Sequence, residues 1–95
     1  MEDIFKILKS HQNALKKFGV RNLALFGSFA RGEGTKDSDL DFLVDLEKKS
    51  FDAYMGLKEY LETLFGRRVD LVLTDTIKPR LRKAILQEAV HAPGL

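Results

Sequence analysis

Residues 39–46 constrain the fold most, because their side chains alternate between two chemically different faces. Successive side chains of a β-strand point to opposite sides of the sheet. One side is apolar and contains Leu40, Phe42, Val44 and Leu46. The opposite side is mostly acidic and contains Asp39, Asp41, Leu43 and Asp45. The pattern predicts a strand that packs on a core through one face and exposes carboxylates on the other.

The segments on either side of this strand have the patterns of helices and buried strands. Apolar residues at helical spacing predict three amphipathic helices, and short apolar runs predict two further strands. The helices are predicted over residues 2–18, from an N-cap at Ser50 to Gly66, and from Pro79 onward; the strands are predicted over residues 23–26 and 69–73. The expected fold class is α/β: a mixed sheet of three strands or slightly more, flanked by helices, in the order α-β-loop-β-α-β-α.

The same periodicity assigns the buried faces of the helices. In the second helix the apolar stripe is expected to begin at Phe51. In the closing helix the residues expected to face inward are Leu81, Ala84, Ile85 and Ala89. Residues 91–95 are expected to fray, as chain ends commonly do.

Length and composition exclude several classes of protein. A chain of 95 residues has room for one core, so a single domain over residues 1–95 is expected. The absence of Cys excludes disulfide scaffolds and thiol catalysis, and two His, His11 and His91, make a His-based metal site improbable. No apolar run approaches the roughly 20 residues of a membrane span, and the N-terminus is unlike a signal peptide. We therefore expect a cytoplasmic protein.

The net charge of +2 is too small to indicate nucleic-acid binding, but its distribution is uneven. Residues 76–95 contain four basic side chains and one acidic one. The basic residues are Lys78, Arg80, Arg82 and Lys83. They form either a solvated helix face or a surface for an anionic ligand or an acidic partner.

The Asp39–Leu40–Asp41 segment predicts a metal site. Two carboxylates at i and i+2 on a strand share a face, with Cα atoms roughly 6–7 Å apart. Their mutual repulsion favours a bound cation, and hard oxygen ligands suit Mg²⁺. Asp70 supplies a third carboxylate if its strand pairs beside this one. Three carboxylates around two Mg²⁺ ions would suit phosphoryl or nucleotidyl transfer. The alternative interpretation of the Asp39–Asp41 pair is that both are solvated side chains on an edge strand.

The loop over residues 27–38 has the composition of a phosphate-binding turn. Gly27 allows the backbone to turn sharply and approach a phosphate, and Ser28 with its neighbouring amides can donate hydrogen bonds. Arg31 either neutralises phosphate charge or is a surface arginine of the loop. The loop is neither a Walker A loop nor a dinucleotide-binding fingerprint. Asp45 shares the acidic face and is interpreted as structural.

Together these motifs resemble a known family. Gly27-Ser28, ten intervening residues and then Asp39-Leu40-Asp41 are similar to the signature of the DNA-polymerase-β-like nucleotidyltransferase superfamily. The local segments 27–33 and 38–41 resemble its minimal nucleotidyltransferase branch, the MNT-domain antitoxins. The resemblance covers nearly the whole chain, including the closing helix. It implies that Gly27 and Ser28 hold a nucleoside triphosphate, that Asp39 and Asp41 bind both Mg²⁺ ions, and that Asp70 ligates the catalytic metal and helps to deprotonate the acceptor.

The resemblance also implies a partner and a reaction. Members of this branch pair with a helical HEPN toxin encoded by an adjacent gene and transfer AMP from ATP to a tyrosine hydroxyl of the toxin. The leading hypothesis is therefore an Mg²⁺-dependent protein adenylyltransferase that acts as an antitoxin by AMPylation. The alternative is a non-catalytic antitoxin that occludes its toxin through the basic closing helix.

Overall fold

The computed structural model describes residues 2–92 and 94. Its helices and strands follow the predicted order with four additions: a second short helix, a single helical turn after the first strand, a 3-10 turn after the third strand, and a fourth strand. The elements are α1 (Glu2–Ser10), α2 (Gln12–Lys17), β1 (Val20–Phe26), α3 (Gly27–Ala30), β2 (Leu40–Leu46), α4 (Phe51–Phe65), β3 (Val69–Leu73), a 3-10 turn (Thr74–Thr76), α5 (Pro79–Glu88) and β4 (Val90–His91). The predicted α/β class is confirmed.

The four strands form one mixed sheet in the order β3-β2-β1-β4. β2 pairs antiparallel with β1 and parallel with β3, while β4 pairs antiparallel with the outer side of β1. In this register Phe26 lies opposite Asp41, and Asp41 lies beside Asp70. The end of β1 and the beginnings of β2 and β3 therefore meet at one edge of the sheet.

The main core lies between one face of the sheet and helices α1, α2 and α4. The apolar side of β2 is buried there as predicted, because its alternate residues all point to these helices. The helices contribute Ile4, Leu8, Leu15, Leu57 and Leu61, and the strands contribute Val20, Leu23, Leu25, Leu40, Phe42, Val44, Leu46, Val69 and Leu71. This face supplies most of the apolar burial of the molecule.

Helix α5 covers the opposite face of the sheet, and it does so thinly. Ala24, Leu43 and Ile77 are buried there, with Ile85 and Ala89 packed partly against them. The acidic residues of β2 share this face with Leu43, which explains why Leu43 interrupts the acidic side of the strand. Within Pro79–Glu88 no residue is fully buried.

The first predicted helix is interrupted. Residues 2–18 form two helices that meet at His11, whose backbone leaves helical geometry at φ −111° and ψ 14°. Nδ1 of His11 lies 2.7 Å from the hydroxyl of Tyr60 in α4, so the interruption coincides with a tertiary hydrogen bond. His11 itself is half-buried at this break.

Three expectations about exposure are wrong. Phe51 is 73% exposed, because it is the first residue of α4 and lies beyond the edge of the core. Leu81 is 47% exposed and Ala84 is also exposed, since only the Ile85 and Ala89 side of α5 meets the sheet. Helix α4 itself has the expected ends: Ser50 Oγ accepts from the Ala53 amide, and Gly66 ends the helix at φ 63°.

The expectation that the tail frays is wrong for its first residues. Val90 and His91 form β4, and the Ala92 amide donates to the Leu23 carbonyl at 2.8 Å. Ala92 is buried, so an apolar contact accompanies the backbone pairing. Pro93 and Leu95 lie outside the described residues. In the part of the chain that the structure describes, no helix combines the length and apolar character needed to cross a membrane.

We expect Leu57→Ala to lower the free energy of unfolding by about 2–5 kcal/mol, because it removes a fully buried side chain. Leu81→Ala is the matched control: the same chemical change at a 47% exposed position should cost less than about 1 kcal/mol. Urea denaturation measures both values. Equal losses would contradict the assignment of the core to the α4 side of the sheet.

Candidate active site

The candidate site lies where three strands meet at one edge of the sheet. β1 ends at Phe26, and the register places Asp41 opposite Phe26 and next to Asp70 of β3. Asp39 precedes β2 and is exposed, Asp41 is half-buried, and Asp70 is exposed. All three are on the α5 side of the sheet, because residues 39 and 41 share a face and Asp70 is in register with Asp41.

Gly27 connects this edge to the loop and lies against Asp41. Its backbone has a φ of +75°, a region that side chains rarely adopt. A Cβ atom at this position would lie 2.9 Å from Cγ of Asp41 and closer still to one of its carboxylate oxygens. Glycine is therefore required here both for the turn and for the close approach of the Asp41 carboxylate.

Phe29 organises the loop that follows. A Cβ atom on Gly34 would lie 2.5 Å from Cγ of Phe29, so the chain at Gly34 passes directly against the ring. The guanidinium of Arg67 lies over the ring, 4.9 Å from its centre. Phe29 also packs against the main core, which anchors the loop on the sheet.

Arg67 fixes the segment that leads into Asp39. Its Nη1 donates to the carbonyls of Thr35 and Ser38, each at 3.1 Å. The Ser38 hydroxyl accepts from the Thr35 amide at 3.0 Å, which closes a tight turn. An open polar depression of about 500 Å³ lies beside this turn and is lined by Lys36, Asp37, Ser38, Asp39, Arg67 and Arg68. Asp39 thus borders a solvent-filled space with three cationic side chains.

Asp41 is the electrostatic centre of the site. Its pKa is raised first by burial and then by the negative charges of Asp70 and Asp39, while Arg31 opposes the rise. Glu88 contributes a further, smaller rise in the pKa of Asp41. The ionised form of Asp41 is therefore disfavoured in the folded protein, and a cation at this edge would relieve that cost.

The carboxylates suit a hard divalent cation in chemistry but do not converge on one point. Asp39, Asp41 and Asp70 offer only oxygen ligands, which Mg²⁺ prefers. Among residues 2–92 and 94, no group of three or more His, Cys, Asp or Glu side chains is arranged to share one ion. The register brings Asp41 and Asp70 together as neighbours, and Asp39 flanks them from the preceding loop.

Arg31 and the Gly27 amide meet at a carboxylate that the sequence analysis did not single out. Glu88, the last residue of α5, accepts a hydrogen bond from the Gly27 amide at 2.7 Å. Nη1 of Arg31 lies 3.2 Å from both carboxylate oxygens of Glu88, and its Nε lies 2.8 Å from Glu33. Hydrogen bonds to Glu33 and then to Glu88 raise the pKa of Arg31, so it remains charged.

The remaining candidates lie around this centre or away from it. Ser28 is half-buried in α3, and its carbonyl accepts from the Glu33 amide at 2.8 Å. Asp45 is further along β2 and pairs with Arg21 at 3.1 Å, which is in keeping with a structural role. His91 is exposed in β4.

One known family model covers nearly the whole chain. The family model of the nucleotidyltransferase domain matches residues 3–91. The chain belongs to the nucleotidyltransferase domain family. The match spans every strand of the sheet and all three of the acidic residues at its edge.

Individual relatives point to one branch of this family. The chain is 45% identical over 93 residues to the protein adenylyltransferase MntA of Thermococcus cleftensis, covering 96% of this chain and 94% of the relative. It is also similar to the solved structure of a protein assigned as a minimal nucleotidyltransferase, with a TM-score of 0.75, 38% identity, and 90% and 93% of the two chains covered. The resemblance to the minimal nucleotidyltransferase branch is thereby confirmed.

A third similarity concerns a toxin–antitoxin complex. A chain in the structure of the tri-AMPylated HEPN toxin of Shewanella oneidensis with its MNT antitoxin matches with a TM-score of 0.60. The identity is 19%, and the alignment covers 92% of this chain and 72% of that one. At this level of identity the similarity demonstrates a shared nucleotidyltransferase fold.

Two residues of the site were missed from the sequence. Glu88 is the one acidic residue within the basic stretch 76–95, and that exception was a usable signal. Arg67 follows the Gly66 helix stop and carried no signal, because its partners Thr35 and Ser38 are distant in sequence. Both residues act through contacts that only the folded chain creates.

We expect Gly27→Ala to be more destabilising than Gly32→Ala. Both glycines have a positive φ, +75° and +76°, so each alanine should cost about 1–2 kcal/mol from backbone strain. A Cβ at Gly32 would meet nothing within 4 Å, whereas a Cβ at Gly27 would overlap the Asp41 carboxylate. Urea denaturation measures the difference, which should shrink in an Asp41→Ala background. Equal costs for the two alanines would contradict the close contact.

We expect Asp41→Asn to raise the stability of the folded protein at neutral pH in the absence of divalent cations. The raised pKa of Asp41 means that the folded state binds its proton more tightly than the unfolded chain, so ionisation is a cost above the folded pKa. As pH falls through the folded pKa toward the ordinary Asp value of 3.8, the wild-type protein should regain that stability. Thermal denaturation of both proteins across this range should therefore give a difference that disappears at low pH. A constant difference would rule out titration as its cause.

Proposed function

We propose that this protein is an Mg²⁺-dependent protein adenylyltransferase that transfers AMP from ATP to a tyrosine hydroxyl of a HEPN toxin and so acts as its antitoxin. The observation that carries the proposal is the strand register, which sets Gly27, Asp41 and Asp70 side by side at one sheet edge. Membership of the nucleotidyltransferase family and 45% identity to a protein adenylyltransferase support it.

Gly27, Ser28 and Arg31 bind the triphosphate of ATP. The Gly27 amide is a backbone donor at the open edge of the sheet, and its glycine conformation leaves no side chain in the way. Arg31 is about half exposed and stays charged, so its guanidinium can pair with phosphate oxygens. Ser28 adds a hydroxyl donor at the start of the same turn.

Asp39, Asp41 and Asp70 hold the Mg²⁺ ions. The raised pKa of Asp41 beside two like charges supports this role, because a divalent cation would offset the repulsion among them. When bound, Mg²⁺ supplies charge neutralisation for the phosphates and orients them for in-line displacement.

The transfer itself is a substitution at phosphorus. The tyrosine oxygen forms a bond to the α-phosphorus of ATP, the bond from that phosphorus to the bridging oxygen breaks, and pyrophosphate leaves. Asp70 accepts the hydroxyl proton; it is the most exposed strand residue of the acidic cluster and faces the solvent from which an acceptor arrives. The remainder of the catalytic effect comes from holding the reacting atoms in line.

The acceptor belongs to a partner protein. The fold shared with a complex of an MNT antitoxin and a tri-AMPylated HEPN toxin supports a toxin from an adjacent gene as this partner. Because the net charge of the protein is only +2, nucleic acid is a weaker candidate for the partner. The proposed location of the protein is the cytoplasm.

A second candidate function is neutralisation by occlusion alone. Helix α5 favours it, because Leu81 and Leu86 are 47% and 40% exposed, and Arg82 and Lys83 line the same surface as Leu86. Such a surface suits contact with an acidic partner whether or not transfer occurs. Occlusion requires the α5 surface, whereas transfer requires the carboxylates.

The test is the intact mass of the neighbouring HEPN protein after incubation with this protein, ATP and Mg²⁺. We expect a gain in multiples of one AMP unit, and the Asp39→Asn/Asp41→Asn variant should reduce the rate by at least about a hundredfold. Asp45→Asn is the matched control, because it removes a carboxylate of the same strand face that is paired with Arg21. It should retain nearly full activity.

Two results would contradict this proposal, the first its AMP transfer and the second its assignment of the Asp39–Asp41 pair. An unchanged mass together with a stable, inactive toxin complex would favour occlusion. An equal loss of activity in Asp45→Asn and in the double variant would show that the net charge of the face matters rather than the Asp39–Asp41 pair.

A further inference from the structure

Glu88 holds the two donors that a triphosphate would need. Its Oε1 accepts from the Gly27 amide at 2.7 Å, and both of its oxygens lie 3.2 Å from Nη1 of Arg31. A carboxylate and a phosphate oxygen are both anionic acceptors, and each seeks backbone amides and guanidinium groups. The two groups therefore compete for the same positions.

The last two elements of the fold, α5 and β4, place Glu88 beside Gly27 and Arg31. β4 runs antiparallel to β1 with Val90 opposite Leu25, so the chain just before β4 lies alongside the end of β1. Glu88 is two residues before Val90, and Gly27 is two residues after Leu25. The short β4 pairing thus sets Glu88, the last residue of α5, against Gly27.

The negative charge of Asp41 opposes the position that Glu88 takes at these two contacts. Its charge is near enough to Asp41 to add to the rise in the pKa of that carboxyl. Its side chain is still 29% exposed, so water can solvate it when it leaves. A partly exposed carboxylate that is held by two contacts and repelled by Asp41 can be exchanged for another anion.

We propose that Glu88 is a built-in competitor of ATP: its carboxylate occupies the Gly27 amide and Arg31, and the triphosphate must displace it to bind. This inference rests on the proposed function, because it concerns the same nucleotide site. It makes Glu88 a regulatory residue that limits the affinity for nucleotide. It also links nucleotide binding to the C-terminal end of α5, which the displaced side chain no longer ties to the loop.

The test compares the affinity for ATP in the presence of Mg²⁺ across the full-length wild-type protein, Glu88→Gln and Glu33→Gln, by isothermal titration calorimetry. Glutamine preserves the size of the side chain, but its neutral oxygen is a weaker acceptor than a carboxylate for both the Gly27 amide and Arg31. Glu88→Gln should therefore bind ATP roughly five- to tenfold more tightly. Glu33→Gln is the matched control. It removes the negative charge of the other carboxylate that binds Arg31. Among the side-chain hydrogen bonds of the described residues, none joins Glu33 to the Gly27 amide, which donates to Glu88. Its affinity should change less than about twofold.

A second readout reports on the contact itself. In amide-resolved NMR, Glu88→Gln should shift the Gly27 amide signal, and inorganic tripolyphosphate added to the wild-type protein should shift the same signal. Both shifts are expected because the same amide changes its acceptor. Tripolyphosphate that leaves the Gly27 signal unmoved while it binds elsewhere would overturn the proposal.

The remaining outcomes separate this proposal from the proposed function. Equal affinities for the wild type and Glu88→Gln would overturn the competition and leave the transferase intact. Weaker binding by Glu88→Gln would also overturn it, and would make Glu88 a positioning residue for Arg31. Tighter binding without any AMP transfer to the toxin would support the competition and count against the proposed reaction. ATP binding by none of the three proteins would reject both.

Discussion

The contact between the Gly27 backbone and the Asp41 carboxylate is the constraint on which the site depends. It exists because β1 and β2 pair with Phe26 opposite Asp41, so the chain must turn away from the sheet where the carboxylate lies. A side chain at Gly27 would displace the acid or force the strands out of register. Register is otherwise fixed by the apolar side of β2, since a slip of one residue would turn Phe42 outward and Asp41 inward. Core packing and the geometry of the site are therefore set by the same pairing.

One face of the sheet provides most of the stability of the fold, and the other face carries the acidic residues of the candidate site. On one face, three helices and the apolar sides of the strands form the main core. On the other face, α5 covers only part of the sheet and leaves a cavity of about 140 Å³ beneath Leu86. The carboxylates can lie close together on this face because α5 covers it only partly, so water and nearby cations can reach them. The densely packed face provides the burial that offsets the cost of the repulsion among those carboxylates.

Local sequence patterns predicted the elements whose signals are local. The alternation of residues 40–46, the Ser50 cap and the Gly66 stop each act within a few residues, and the structure has them as expected. The Asp70 strand pairs beside β2, which was the condition for Asp70 to supply a third carboxylate. The break at His11 could not be predicted, because it accompanies a hydrogen bond to Tyr60, 49 residues away. Phe51 was assigned to the core because periodicity does not show where a helix passes the edge of a sheet.

The same distinction explains what was predicted of the site. Gly27, Ser28, Asp39 and Asp41 are candidates from their spacing along one hairpin, and the structure brings Gly27 against Asp41. Arg67 and Glu88 reach the site from other elements, and the weak two-residue strand β4 that brings in Glu88 has no pattern that separates it from a fraying tail.

The weakness of the two-residue strand β4 has a consequence for how α5 is held on the sheet. Few apolar contacts hold α5 on the sheet, and its C-terminal end is tied to the loop through Glu88, Gly27 and Arg31. An anion that takes these donors would remove a polar anchor of the helix without disturbing the main core. Occupancy of the site and attachment of α5 are therefore coupled through one carboxylate. The exposed side of the same helix carries Leu81 and Leu86, so any partner that docks there would contact the element whose attachment the site controls.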